Sequence, residues 1–150
     1  MNVGAIMHTD VVTVGPDDTF AHVATVMREH GISSVVVAGD RGPSGIVTER
    51  DFVNLLADGA DAGSTTIGER MTRDLATVRS RSDIAEAARL MAERRIRHLP
   101  VVDRGKLAGI ISIRDLVSWA MAEFTGGHEL PDLERGSAAF SAAVAVEGPS

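Results

Sequence analysis

The chain repeats itself once, without a gap, at an offset of 64 residues. Gly45-Ile46-Val47-Thr48-Glu49-Arg50-Asp51 returns as Gly109-Ile110-Ile111-Ser112-Ile113-Arg114-Asp115. At the same offset Met7 falls on Met71, Asp10 on Asp74, Thr13-Val14 on Thr77-Val78, Met27 on Met91 and Glu29 on Glu93. A repeat of this length constrains architecture before any single residue does. Each copy is too small to bury its own apolar face, so two copies are expected to pack together with pseudo-two-fold symmetry.

Local patterns give each copy the same element order. A short extended piece, Val11 to Val14 or Leu75 to Val78, leads to a turn, Gly15-Pro16-Asp17-Asp18 in the first copy. Apolar residues at Phe20, Val23, Ala24 and Met27, matched by Ile84, Ala87, Ala88 and Met91, then mark one stripe of a helix. Asp83-x-x-Glu86 has the spacing of a capping box. β-Branched runs follow at Ile32 to Ala38 and Leu99 to Val102, then at Ile46-Val47 and Leu107 to Ile111. Gly39-Asp40 and Arg104-Gly105 supply the turns between them. A second helix runs from Glu49 to Ala57 and from Ile113 to Glu123, burying Phe52 with Leu55-Leu56 and Leu116 with Trp119-Ala120.

The fold class is therefore α+β: two β-α-β-β-α units in one module. The expected divisions are a first repeat over 1–58, a linker over 59–67, a second repeat over 68–123 and a flexible tail over 124–150. One helical segment is expected in that tail, at Ser137 to Val146.

Composition bounds the chemistry. Hydrophobic residues make up 44 % of the 150, enough for a core, but aromatics only 3 %, so aliphatic side chains must build it. The absence of cysteine removes disulfides, thiolate metal sites and cysteine nucleophiles. No apolar run approaches the roughly 20 residues that span a bilayer, and no secretory leader is apparent, so a soluble cytoplasmic protein is expected. Charge is uneven: residues 1–58 carry three Arg against eight Asp and Glu, whereas 68–122 carry eleven Arg and Lys against seven acids. The second copy is thus the more inviting half for an anion.

The repeated Gly-h-h-Thr/Ser-x-Arg-Asp stands at a strand-to-helix corner. Glycine there lets another group approach the backbone. Thr48 and Ser112 sit where a helix N-cap belongs, with Asp51 and Asp115 three residues on, so a variant capping box explains the spacing by itself. A ligand role is compatible with that box. A helix N-terminus with a hydroxyl and an arginine, Arg50 or Arg114, suits a phosphate. A carboxylate one turn in suits the two hydroxyls of a ribose.

On these residues the chain resembles a tandem pair of cystathionine-β-synthase (CBS) domains, the Bateman module, over roughly Gly4 to Ala122. Thr13-Val14 with Pro16, Met27-x-x-x-Gly31-Ile32 and the Gly45–Asp51 motif carry the resemblance in the first copy. In the second they are Thr77-Val78, Met91 to Ile96, His98-Leu99-Pro100-Val101-Val102-Asp103 and Gly109–Asp115. The resemblance implies a regulatory module with a cleft between repeats that senses adenine nucleotides, AMP, ADP or ATP, with S-adenosylmethionine or NADH as further candidates. It implies Thr48 and Ser112 on phosphate, Asp51 and Asp115 on ribose, and the base against Ile32 to Val35, Ser34 among them, or Ile96 to Leu99, His98 among them. Arg97 would neutralise phosphate from the opposite repeat. It also implies a homodimer or an effector protein as partner. The first copy departs from the pattern, with Ser34-Val35-Val36 where the second has His98-Leu99-Pro100, and Pro43-Ser44 for Leu107-Ala108.

Other classes fit less well. No Gly-x-Ser-x-Gly elbow, P-loop or His-Glu-x-x-His is present, so no catalytic residues and no catalytic cofactor are expected. His8, His22, His30, His98 and His128 lack ligand spacing for a metal. The basic run Arg94-Arg95-x-Arg97-His98 stands in an acidic chain with few aromatics, which disfavours nucleic acid. A ligand-free dimerisation module is the main alternative.

Overall fold

In the computed structural model, which describes residues 1–126, turn chemistry and apolar spacing set the order of elements. β1 (Thr13–Val14), α1 (Phe20–His30), β2 (Ser34–Gly39), β3 (Gly42–Thr48) and α2 (Glu49–Ala57) form the first copy. A four-residue helix α3 (Ile67–Arg70) opens the second, followed by α4 (Ile84–Arg94), β4 (His98–Asp103), β5 (Lys106–Ser112) and α5 (Ile113–Phe124). The helix expected at Ser137 to Val146 and the rest of the tail from 127 lie outside the described residues.

Thr19 caps α1 and Asp83 caps α4, each accepting a hydrogen bond from a first-turn N–H. Both helices end in a left-handed residue, Gly31 at φ 62° and Arg95 at φ 55°. Glycine adopts that conformation freely, whereas a side chain there costs on the order of 1 kcal/mol.

β1 pairs parallel with β2, and β2 antiparallel with β3; β4 pairs antiparallel with β5. Both hairpins carry a bulge at the same place, Val37/Ala38 and Val101/Val102. The strand expected at Leu75 to Val78 reduces to a single bridge, Val78 to Val101. The 59–67 stretch is tied down rather than loose: Phe20 N–H donates to Thr65 O and Ala21 N–H to Ala62 O. Leu56, expected inside, is exposed, because Leu55 already holds the buried side of α2.

The two copies exchange their leading ends. Val3 and Gly4 donate to Ser82 O and Ser80 O, as Ile67 and Gly68 donate to Asp18 O and Pro16 O. Thr72 pairs with Ile46 on the edge of β3, and His8 with Ile110 on the edge of β5. Each bond in one half thus has its counterpart 64 residues away. The cores follow the same exchange. Ile67 and Met71 pack with Phe20, Val23, Val35, Val47 and Leu55, while Val3, Ile6 and Met7 pack with Ala87, Met91, Leu99, Ile111 and Leu116. In space each core is built from one repeat body and the other repeat's first residues.

Candidate functional site

Two strand-to-helix corners arise from one local rule: a hydroxyl residue ends the strand and caps the helix. Thr48 N–H donates to Asp51 Oδ2 at 2.8 Å, closing a capping box on α2. Ser112 N–H donates to Asp115 Oδ2 at 2.6 Å, the Ser112 hydroxyl donates to the same oxygen at 2.8 Å, and Asp115 N–H returns a bond to Ser112 Oγ at 3.3 Å. Each carboxylate is therefore pinned by its own cap, so its orientation is fixed before anything binds.

The first corner opens on a cavity of about 330 Å³, at the lower end of small-molecule sites. One wall is Ile46, Thr48, Glu49, Arg50 and Asp51. The facing wall comes from the second copy: Thr72, Asp74, Leu75 and Ala76, then Arg94, Arg95, Ile96, Arg97, His98 and Pro100, with Ser33 at the join. Of the residues expected to bind a ligand, Thr48, Arg50, Asp51, Ile96, Arg97 and His98 meet here. Ser112, Arg114 and Asp115 do not line this cavity; they form the second corner. Ile32 and Ser34, the 64-residue counterparts of Ile96 and His98, do not line it either; Ile32 packs against the first core. Ser34 is buried and paired with Thr48 across the sheet.

Four arginines line the cavity. Arg94 is paired with Asp74 at 3.1 Å, and Arg95 is the left-handed residue that ends α4. A left-handed arginine at a cavity wall, where the other copy has Gly31, places a guanidinium at some cost in backbone energy. Burial pushes the Asp51 carboxyl above its ordinary value, against the Thr48 backbone bond and the Arg50 charge that hold it down. Residues the sequence reading passed over include Glu49 and, in one segment, Thr72, Asp74, Leu75 and Ala76. The Asp10–Asp74 match in the repeat pointed to that segment.

His98 shares a hydrogen bond with Ser33 Oγ at 3.0 Å, joining the two copies on the cavity lining. Burial lowers its pKa from 6.5, Arg97 and then Arg114 add to the shift, and Asp115 opposes it. Below the ordinary value the unfolded chain therefore binds more protons than the folded one. Stability is complete above about pH 6.5 and falls as pH drops through that value toward the folded one. Replacing His98→Gln keeps a partner for Ser33 and removes the titration. The loss of melting temperature between about pH 7.5 and pH 5.5 should be smaller in His98→Gln than in the parent chain. An equal loss in both would show that His98 is not held neutral.

Among the described residues, no cluster of three or more His, Cys, Asp or Glu could hold a metal, and no helix is long and apolar enough to cross a membrane.

Comparison with known proteins closes the question of family. The CBS domain model matches residues 3–58 and again 67–122. Protein MK0525 of Methanopyrus kandleri is 38 % identical over 120 residues, 78 % of this chain and 61 % of that protein, so the chain spans less than two thirds of it. A solved CBS-domain protein of Burkholderia ambifaria is 32 % identical with a TM-score of 0.79, covering 88 % of this chain and 99 % of that one. The CBS domain pair of protein MJ0100, solved with 5′-methylthioadenosine and S-adenosyl-L-methionine, shares the fold at a TM-score of 0.76 and 23 % identity, covering 82 % of this chain and 98 % of that one. With a duplicated corner motif, a cavity walled by both copies and a family match to each repeat, the chain belongs to the CBS-domain family as a tandem pair.

Proposed function

We propose that this CBS pair is a regulatory module that binds an adenine nucleotide, AMP, ADP or ATP, in the cavity between its copies. One observation carries the reading: Thr48, Arg50 and Asp51 on one copy face Arg95, Arg97 and His98 on the other across one space of about 330 Å³. The α2 N-terminus, the Thr48 hydroxyl and the arginines suit phosphate; the pinned Asp51 carboxylate suits a ribose diol. Ile96 and Pro100 offer apolar surface to a base. The MJ0100 complex supports the reading, since the same fold holds adenosine compounds there. S-adenosylmethionine lacks the phosphate that this arginine-rich wall would neutralise, and NADH needs more room, so both rank below the adenine nucleotides. No residue set here suits catalysis, and the module is read as a sensor.

Asp51→Asn tests the site. Asparagine preserves an acceptor for the Thr48 N–H but loses the charge-assisted pair to the ribose. Affinity for AMP or ATP should fall about 30- to 150-fold, equivalent to about 2–3 kcal/mol. Burial already disfavours the Asp51 charge, so the unliganded variant should melt no lower than the parent. Thermal shift reads both quantities, because a ligand specific for the folded state adds about 2.7 kcal/mol at a hundredfold excess over Kd. Unchanged affinity in Asp51→Asn would remove the site.

A ligand-free dimerisation module is the second reading. It is favoured by apolar residues left outward on both terminal helices: Val53 and Leu56 on α2, Val117, Met121 and Phe124 on α5. Val53 and Val117 are repeat counterparts, so a two-fold partner would meet matching strips. Homodimerisation and an effector protein are compatible with the sensor reading too, as routes by which it signals. No melting shift with AMP, ADP, ATP, S-adenosylmethionine or NADH would favour the scaffold alone.

A further inference from the structure

The two corners share hydroxyl, arginine and carboxylate, yet the residue beside each corner differs. Thr72 follows Met71 at the first; His8 follows Met7 at the second. Their backbones do the same thing. Thr72 exchanges two bonds with Ile46, at 3.0 and 3.1 Å, and His8 exchanges two with Ile110, both at 2.9 Å. Their side chains do not. The His8 ring reaches Asp115, with Nε2 at 2.7 Å from Oδ1. Because the acceptor is a carboxylate, Nε2 carries the proton. Oδ2 of Asp115 already takes the Ser112 N–H and hydroxyl. Both oxygens of Asp115 are thus engaged within the chain, and its side chain is only 14 % exposed. At the first corner Thr72 cannot reach so far, and the cavity lies open beside Asp51.

We infer that His8 is a built-in plug for the second corner, so that the chain takes up one adenine nucleotide, at Thr48 and Asp51, and leaves Ser112 and Asp115 closed. This rests on the reading that the corner aspartate receives the ribose. The imidazole N–H occupies the carboxylate oxygen that a ribose hydroxyl would need, and it is tethered to the same molecule. A tethered competitor acts at a high effective concentration, and the apparent affinity of the site falls by the fraction of time the ring is away. The surroundings agree with this division. The first cavity also holds Arg95 and Arg97, whose repeat counterparts are Gly31 and Ser33, so the first copy offers no guanidinium at those positions. His8 is therefore a specificity-determining residue for which corner is used, acting by exclusion.

The internal symmetry supplies the test. His8→Thr copies Thr72 into the second corner and leaves the backbone pairing with Ile110 intact; His8→Ser is the alternative should the first variant fold poorly. Isothermal titration with AMP and, separately, with ATP should give one nucleotide per parent chain and two per His8→Thr chain. In the double variant His8→Thr, Asp115→Asn the count should return to one, which places the added site at Asp115. Two nucleotides on the parent chain would overturn the plug and leave the nucleotide reading standing. So would a count of one in both folded His8 variants. No binding by the parent or by either His8 variant would overturn the nucleotide reading itself, and the plug with it.

Discussion

Replacing Val3 with aspartate is expected to destabilise the chain by at least ~4 kcal/mol, and to do so in the other repeat. Val3 has no exposed surface and packs beside Ala87, Met91, Leu99 and Leu116, none of which can pair with a charge. An unpaired carboxylate there must either be neutralised or drag its segment into water. In the second case Val3 and Gly4 also give up their bonds to Ser82 O and Ser80 O. Hydrogen exchange locates the damage. Amide protection should collapse over Ile84–Leu116, in the other repeat, and persist longer over Phe20–Leu55. Ile67→Asp should do the converse, since Ile67 is fully buried in the first core. Val3→Asp that loosens Phe20–Leu55 first would contradict the exchange of ends.

Gly109→Val should cost about 2–4 kcal/mol, measured as a fall in the urea midpoint. A Cβ at position 109 would lie 2.6 Å from His8 O and 2.8 Å from Met7 Sδ. The thioether can swing aside. The carbonyl cannot, because it accepts the Ile110 N–H at 2.9 Å and holds the crossing segment on β5. Gly45 stands in the same position toward Thr72 O, at 2.8 Å, and Met71 Sδ, at 2.7 Å. Gly45→Val should therefore cost a similar amount. A loss below ~1 kcal/mol in both would mean that the crossing segments yield easily and do not hold the halves together.

Those two glycines also show where sequence reading stops. The motif required a close approach to the strand at Gly45 and Gly109, and the structure has one, but the visitor is the protein's own backbone at Thr72 and His8. Nothing local announces this, because the contact joins residues about 100 positions apart in one case and 27 in the other. The Met7–Met71 match within the repeat was its one visible trace. Helices α1, α2, α4 and α5 were legible because their apolar spacing is regular and their caps are conventional. Leu56 was misplaced because two adjacent leucines cannot both face one core, and the stripe alone does not say which does. Leu75 to Val78 has strand composition but only one bridge to β4, at Val78, while Leu75 and Ala76 line the cavity. The Thr48–Asp51 corner was legible because cap chemistry and phosphate chemistry use the same groups. His8 was not, because its repeat counterpart is Thr72 and a lone histidine carries no pattern until the fold sets it against Asp115.

A single repeat, cut free, would lack part of its own core and could complete it only by trading leading segments with a second copy, at a rate and extent set by protein concentration. Joining two copies in one polypeptide makes that trade intramolecular and independent of dilution. It also releases a constraint. Two identical molecules must present two identical crevices, whereas a covalent pair can arm one with Arg95 and Arg97 and stopper the other with His8. Covalent duplication is thus what permits a near-symmetric framework to be used asymmetrically.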